Sequence, residues 1–295
     1  MTRDEQVAKA ERFLALHRTP PLLALANAWD VVGARLFQLH GFKAIGTTSA
    51  GIAATLGYPD GQRMSLEENV AVVRRIAWRI DLPVSADIEA GYSPSVDGVV
   101  SAAREVLRAG AVGLNIEDSV GGPAEPLIDV PSQVERIGAV REMALGEGIP
   151  LVINARTDVL LHSRSGIEPL LTEVIARANA YVRAGADCVF VPDAGGLDKR
   201  AIAILVREIG APLNLIAGPG TPPLRELEEL GVARLSFGPR MMRAALALIG
   251  RMARELLDQG TYSSLTEEAL SYAAVNAMLE HDERGYCAGV PALTA

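Results

Sequence analysis

Hydrophobic and polar residues follow two different periods along this chain. Short runs rich in Val, Ile, Leu and Ala show little alternation with polar residues, which is typical of strands buried on both faces of a parallel sheet. Longer stretches with apolar residues three or four positions apart predict amphipathic helices, for example over 66–79, 97–109 and 168–184. The predicted strands are 21–26, 44–47, 82–86, 111–116, 150–154, 187–191, 213–217 and 233–236.

A glycine follows several of the predicted helices, and the next strand begins almost at once. Gly41, Gly110, Gly185 and Gly231 stand where a helix C-cap needs a residue that tolerates the left-handed conformation. Such tight turns, repeated along the chain, indicate an α/β fold, a closed (β/α)8 TIM barrel over about residues 20–240. An open doubly wound sheet is the alternative, but the Gly-rich phosphate loop that usually marks it is absent after the first strand.

Two further helical stretches, 240–258 and 265–280, follow the eighth strand. They exceed what a barrel requires, and an apolar helix must bury its face, so we expect a partner subunit to cover it. No linker or low-complexity segment interrupts the chain. Residues 1–295 are therefore predicted to form a single barrel domain with extra C-terminal helices at about 240–282.

Composition narrows the class of protein. The net charge of −8 excludes the basic footprint that nucleic-acid binding requires. The sequence has no apolar stretch of about 18 residues, no apolar run typical of a signal peptide at its start and only two cysteines, so we expect no membrane association and a cytoplasmic location. Of the 28 basic residues only three are lysines, and four histidines accompany 36 acidic residues. An enzymatic site would therefore depend on carboxylates and arginine.

In a barrel of this kind the functional site lies at the carboxyl ends of the strands. Asp87 and Glu89 follow the third predicted strand, Glu117 the fourth and Arg156 the fifth. Neighbouring carboxylates repel one another unless a cation or a raised pKa relieves the repulsion, and all-oxygen ligands favour Mg²⁺ or Mn²⁺. Arg156 has the planar donor set that suits a carboxylate or phosphonate. The other polar residues at these ends are Asn27, Asp30, Thr48, Ser49, Asp118, Asn154, Asp158, Asp193, Asn214 and Ser236, and Asp60 lies in the loop after strand 2.

Structural roles compete with functional ones at several of these positions. Asp30 is as well placed to cap the following helix as to act in a site, and Asp158 to pair with Arg156. Asp118 is better explained as structural, because adjacent strand residues point to opposite faces. Ser236 is interpreted as a turn residue and His162 as a surface residue.

Six short motifs occur in a fixed order: NAWD at 27–30, TTSAG at 47–51, GYPD at 57–60, ADIEAGY at 86–92, NIED at 115–118 and NAR at 154–156. As an ordered set they resemble the isocitrate lyase/phosphoenolpyruvate mutase superfamily over about residues 20–255. The resemblance implies a Mg²⁺-dependent barrel enzyme that makes or breaks a C–C or C–P bond beside a 2-oxo acid or its enolate. It also implies a homotetramer, a dimer of dimers that exchange their C-terminal helices.

The resemblance assigns roles to individual residues. Asp87 corresponds to the principal metal-site aspartate, Glu117 to a glutamate that holds the metal, often through water, and Asp60 to an outer acid. Thr48, Ser49, Ala50 and Gly51 correspond to the turn that holds the substrate carboxylate, and Arg156 to the arginine that binds its other anionic end. Trp29 and Asn214 are placed near the substrate. We therefore predict Arg156, Asp60 and Glu117 as catalytic residues.

The chain departs from the family pattern at two places. The first acid of the metal motif is replaced by Ser85, and we assign Glu89 to the metal site in its place as a hypothesis. The loop at 119–126 has no Cys, Lys or His, whereas isocitrate and methylisocitrate lyases carry a cysteine-containing loop there, so a standard lyase of that kind is disfavoured. The general acid or base stays open among Glu125, Tyr58, Tyr92 and metal-bound water.

Three functions follow, in order of preference. The first is a Mg²⁺-dependent C–C lyase or decarboxylase acting on a small 2-oxo- or 2-hydroxy-dicarboxylate. The second is a C–P bond enzyme, either a phosphoenolpyruvate or carboxyphosphonoenolpyruvate mutase or a phosphonopyruvate hydrolase. The third is a homologue that binds a 2-oxo acid without turning it over.

Overall fold

Eight parallel strands close into a barrel in which the strands are arranged in chain order. The computed structural model describes residues 1–121, 126–162, 166–193, 195–267 and 269–280. Each predicted strand run overlaps an observed strand, and β8 pairs back onto β1 at Leu23↔Arg234, so the closed barrel is confirmed and the open sheet was wrong. The strands are β1 (Leu23–Ala28), β2 (Ile45–Thr47), β3 (Val84–Asp87), β4 (Gly113–Glu117), β5 (Val152–Arg156), β6 (Cys188–Phe190), β7 (Leu213–Ile216) and β8 (Arg234–Ser236).

Helices surround the barrel, and several of them start where the sequence supplies a capping side chain. Ser65, Ser95 and Asp129 each accept a hydrogen bond from a backbone N–H in the first turn of the helix that follows. The helices are α1 (Arg3–Leu16), α2 (Val31–Leu39), α3 (Ser49–Thr55), α4 (Leu66–Ala77), α5 (Val96–Arg108), α6 (Val130–Glu147), α7 (Leu171–Arg183), α8 (Lys199–Glu208), α9 (Leu224–Glu229), α10 (Arg240–Arg254), α11 (Ser263–Thr266) and α12 (Tyr272–Leu279).

The helix α1, which the sequence patterns did not predict, closes the amino-terminal end of the barrel. Phe13 is completely buried, and its ring occupies the space beside Gly113, the first residue of β4. A Cβ added at Gly113 would lie 2.6 Å from Phe13 Cε1, so the glycine is what lets the ring enter. Phe13 thus fills the amino-terminal end of the barrel beside β4.

The C-terminal region differs from the prediction in one respect. The stretch 265–280 was predicted as one helix, but α11 ends at Thr266 and α12 begins at Tyr272. Ser271 marks the start of α12, because its backbone is extended and its side chain accepts a hydrogen bond from Ala274 N. Within the part of the chain that the structure describes, no helix is long and apolar enough to cross a membrane. The exchange of these helices between subunits stays a prediction.

Candidate active site

A cavity of about 350 Å³ opens at the carboxyl ends of the strands. The strand ends meet there because all eight strands run in parallel and tilt around one axis. The structure brings most of the predicted site residues together in its lining. These are Thr48, Ser49, Ala50, Asp60, Asp87, Glu89, Glu117 and Arg156.

Asp87, the last residue of β3, is held firmly with its carboxylate at the cavity. Oδ2 accepts hydrogen bonds from Ser49 N at 3.0 Å and Ser49 Oγ at 2.7 Å. Oδ1 accepts from Asn115 Nδ2 at 3.1 Å, and the backbone N–H of Asp87 donates to Thr47 Oγ1 at 2.9 Å. Several donors on both oxygens fix the direction of a carboxylate.

Glu117 and Arg156 end the neighbouring strands β4 and β5 and form an ion pair. Arg156 Nη1 lies 2.8 Å from Glu117 Oε2, and Nε and Nη2 donate to the two oxygens of Asp158 at 2.5 and 2.9 Å. The guanidinium also lies over the ring of Phe190, 5.6 Å from its centroid. Burial raises the pKa of Glu117 well above its usual value despite the nearby Arg156.

Glu89 lies in the loop after β3 and contacts Gln62 in the loop between α3 and α4. Glu89, Gln62 and Tyr92 all have left-handed backbones, with φ of 50°, 57° and 56°. Their own contacts hold them in this conformation: Gln62 N donates to Glu89 Oε2 at 2.5 Å, Tyr92 N to Gln62 Oε1 at 2.7 Å and Tyr92 OH to Glu89 Oε1 at 3.3 Å. Burial, with repulsion from Asp87 and Asp60, raises the pKa of Glu89 to about 8.

Asp60 completes the acidic side of the cavity from the loop after β2. The residue is largely exposed, but its carboxyl faces the cavity, and partial burial together with repulsion from Asp87 raises its pKa. Raised pKa values at Asp60, Glu89 and Glu117 have one shared cause besides burial, the negative charge of Asp87. A bound cation would remove that repulsion.

The donor set fits a hydrated divalent cation better than a protein-enclosed one. No group of three His, Cys, Asp or Glu within the described residues is arranged to hold a metal ion together. Glu117 is engaged by Arg156, and Glu89 by the backbone of Gln62. Asp87 is therefore best placed for direct coordination, and Mg²⁺ commonly binds through one or two carboxylates, waters and substrate oxygens.

Three predicted substrate residues lie outside the cavity lining. Trp29, Gly51 and Asn214 are not part of the lining. Gly51 allows close packing, because an added Cβ would lie 2.6 Å from Thr48 Cγ2 and 3.0 Å from Trp29 Cβ. Asn214 is completely buried, and its Oδ1 accepts from Ser236 Oγ at 3.1 Å.

The structure also decides between the competing roles. Asp30 caps α2, accepting from Gly33 N at 2.6 Å, and Asp158 pairs with Arg156. Asp118 is structural: it is fully buried and accepts from Tyr181 OH at 2.7 Å. Ser236 was interpreted wrongly, because it is the last residue of β8, and both Ser236 and the half-buried His162 line the cavity.

The candidates for a general acid or base are now partly placed. Tyr58 is exposed and donates to Glu68 Oε1 at 3.1 Å, outside the cavity lining. Tyr92 OH contacts Glu89, and burial and the neighbouring acids raise the pKa of Tyr92 far above its usual value. Glu125 lies outside the described residues.

Sequence reasoning missed several lining residues. Gln62 and Arg234 line the cavity, as do Arg240 and Arg243 at the start of α10. A charged residue inside the apolar run 233–236 was the signal for Arg234. The two arginines of α10 directly follow the last strand, but they were counted only as residues of a surplus helix.

Comparison with known proteins places this site in a family. The model of the phosphoenolpyruvate phosphomutase family matches residues 13–257. The crystal structure of a putative lyase/mutase from Burkholderia cenocepacia has 37% identity and a TM-score of 0.86, covering 92% of this chain and 96% of its own. The 2-methylisocitrate lyase of Salmonella typhimurium is 35% identical, covering 88% of both chains. The oxaloacetate decarboxylase of Pseudomonas fluorescens is 30% identical, covering 84% of this chain and 85% of its own.

The solved structure shares the barrel, and the relatives are named as a putative lyase/mutase, a lyase and a decarboxylase. Two independent facts agree on the family: the family match spans most of the barrel, and the ordered motifs supply the residues that line its cavity. The chain belongs to the phosphoenolpyruvate phosphomutase family, within the isocitrate lyase/phosphoenolpyruvate mutase superfamily.

Proposed function

We propose that this protein is a Mg²⁺-dependent C–C bond lyase or decarboxylase that acts on a small 2-oxo- or 2-hydroxy-dicarboxylate. The observation that carries the proposal is the fixed Asp87 carboxylate at the cavity, with Glu89, Glu117 and Asp60 around it. An acidic cavity with an adjoining arginine suits an anionic substrate that brings its own metal-binding oxygens.

The metal site would use few protein ligands. Asp87 would bind Mg²⁺ directly, and Glu117 and Glu89 would reach it through water; Mn²⁺ would suit the same donors. Bound there, the cation would supply charge stabilisation for an enolate oxygen. The protein would contribute the fixed direction of Asp87, which Ser49 and Asn115 set from two sides.

The remaining residues would orient the substrate and move protons. Arg156 would hold the substrate beside the metal site. Its guanidinium is fixed there by the ring of Phe190 and the carboxylate of Asp158. Glu117 is buried against Arg156 and has a raised pKa, so it would serve as the proton acceptor or donor at that end. Thr48, Ser49 and Ala50 would frame the substrate carboxylate.

The loop after β4 supports decarboxylation over acid-dependent aldol cleavage. Its sequence has no Cys, Lys or His, and Ser119 Oγ already donates to Asp158 at 2.5 Å. Aldol cleavage needs a strong proton-transfer group for the leaving oxygen or carbon. Loss of CO₂ from a 2-oxo acid needs an electron sink more than such a group.

The experiment is a substrate panel with and without Mg²⁺. Purified protein is incubated with oxaloacetate, 2-methylisocitrate, dimethylmalate and phosphonopyruvate, and pyruvate release is measured. Metal-dependent turnover of a carbon-only substrate is expected. Consumption of phosphonopyruvate alone would instead establish the C–P alternative, and binding without turnover of any substrate would establish a non-catalytic homologue.

Variants test the residues. Asp87→Asn and Glu117→Gln should each lower metal-dependent kcat/KM by at least about 100-fold while leaving Tm nearly unchanged, because both side chains face the cavity. Glu228→Gln, at an exposed position of α9, is the matched control. A large loss of Tm with activity retained would show that Asp87 and Glu117 serve the core instead.

A further inference from the structure

One of the arginines that line the cavity has a buried donor without a partner among the described residues. Four arginines line the cavity, namely Arg156, Arg234, Arg240 and Arg243. Arg156 is balanced by Glu117 and Asp158. Arg240 forms no ion pair and donates no hydrogen bond to any residue that the structure describes, and its Nε is buried without a partner. A buried donor of this kind costs free energy unless a ligand satisfies it.

The residues around Arg240 fix the position of its guanidinium. Arg240 is the first residue of α10, four positions after the end of β8. Its Nη2 packs over Gly218 in the loop after β7, where an added Cβ would lie 2.6 Å away. Gly218 is itself fixed, because its N–H donates to Thr221 Oγ1 at 2.9 Å. The glycine has no positive φ, so the arginine is what its missing side chain accommodates.

Arg240 faces the acidic residues from across the mouth of the barrel. Asp87 and Glu117 end β3 and β4, whereas Gly218 and Arg240 follow β7 and β8. In a closed barrel of eight strands in chain order, strands four apart lie on opposite sides. The cavity therefore has a metal-attracting side and an anion-attracting side, with Arg156 between them on β5.

We propose that Arg240 determines substrate specificity by binding the second anionic group of the substrate, the carboxylate farther from the metal site. This inference rests on the proposed function and changes one part of it. The resemblance gives that distal group to Arg156, but three of the Arg156 N–H groups are directed at Glu117 and Asp158. Arg156 holds the substrate near the metal, and Arg240 selects substrates that extend to the β7–β8 side.

The test compares two unreactive anions that share the metal-binding half. Oxalate has no distal group, whereas 3,3-difluorooxaloacetate adds a carboxylate that can reach Arg240. Calorimetry with Mg²⁺ gives the Kd of each for wild type, Arg240→Gln and Arg225→Gln, the last being an exposed arginine of α9. Arg240→Gln should weaken 3,3-difluorooxaloacetate by about 10- to 100-fold and oxalate by less than about 2-fold, and Arg225→Gln should change neither.

A second variant moves the guanidinium without changing its charge. Gly218→Ala places a methyl group against Nη2, so it should also weaken 3,3-difluorooxaloacetate selectively. Equal weakening of both anions, or of neither, in the Arg240 and Gly218 variants would overturn the proposal. The proposed function has a separate readout, because Mg²⁺-dependent oxalate binding that is lost in Asp87→Ala reports on the metal site alone.

Discussion

His17 is a titratable side chain that is buried in the folded protein and packs there in its neutral form. Its exposed fraction is 3%, its Nδ1 lies 2.8 Å from Phe13 O, and its ring meets the Phe13 ring edge-on. Arg234 Nη1 lies 3.5 Å from its Nε2. Burial, and then the charge of Arg234, lowers the pKa of His17 to about 3, so the folded protein keeps the ring neutral.

This shift predicts a loss of stability in mild acid. Because the folded-state pKa lies below the unfolded value of about 6.5, the stabilisation is complete above that value and is lost as pH falls toward about 3. The contribution of His17, measured as the difference between wild type and a variant without the histidine, should fall by about 2 kcal/mol between pH 7 and pH 5, at about 1.4 kcal/mol per pH unit below 6.5. Urea unfolding measured across this range tests it.

The comparison variant is His17→Gln, which keeps a polar group but cannot titrate. Its pH dependence should lack the His17 contribution and keep that of the other titrating groups, among them Glu89, whose raised pKa acts in the opposite direction over this range. His40→Gln, at an exposed position, should keep the wild-type pH dependence. An unchanged slope in His17→Gln would show that another group is responsible.

At the scale of elements, α1 and β4 depend on each other. Ala10 and Phe13 of α1 are completely buried, and Phe13 fills the space that Gly113 leaves open at the amino end of β4. The site lies at the other end of the same strand, since Glu117 is its last residue. The packing of Phe13 against Gly113 thus supports β4 at one end, and β4 carries Glu117, a predicted catalytic residue, at the other.

A methyl group at Gly113 should break this fit. Gly113→Ala would place a Cβ 2.6 Å from Phe13 Cε1 and 3.2 Å from Val152 O, so we expect a loss of about 1–3 kcal/mol of stability. Gly146→Ala is the matched control: Gly146 lies in α6 with nothing within 4 Å of the added Cβ, and it should gain about 0.5–1 kcal/mol. Thermal unfolding measures both variants. An unchanged stability of Gly113→Ala would contradict the tight packing of Phe13 against Gly113.

At the scale of the molecule, the C-terminal helices leave apolar side chains exposed. Leu246 and Ile249 of α10 are 53% and 59% exposed, and Leu257 and Tyr272 are 84% and 85% exposed. Apolar residues gathered on one region of a surface commonly mark a contact with another chain. This exposure supports the prediction of a homo-oligomer, which the resemblance to the superfamily also implies.

Light scattering coupled to gel filtration tests that prediction. The wild-type protein should have the mass of a tetramer, and the double variant Leu246→Glu/Ile249→Glu should dissociate because charges would be buried in the contact. Leu145→Glu changes a residue that is 69% exposed on α6 and should leave the mass unchanged. A monomeric wild type would refute the prediction.

The sequence by itself determined the barrel and the acidic side of its site. Apolar runs, helix periods and C-capping glycines are local signals, so eight strands could be found without knowing their partners. Once the strands were placed, parallel geometry alone required Asp87, Glu89, Glu117 and Arg156 to meet at one end.

Only the tertiary structure decided which polar groups satisfy one another and which stay free. Arg240 over Gly218, His17 against Arg234 and Gln62 against Glu89 are contacts between residues distant in sequence. They depend on the closure of the barrel and on the loops that cross its ends, and neither leaves a periodic signal in the sequence. The cationic side of the cavity therefore became visible only when the barrel brought β7 and β8 opposite β3 and β4.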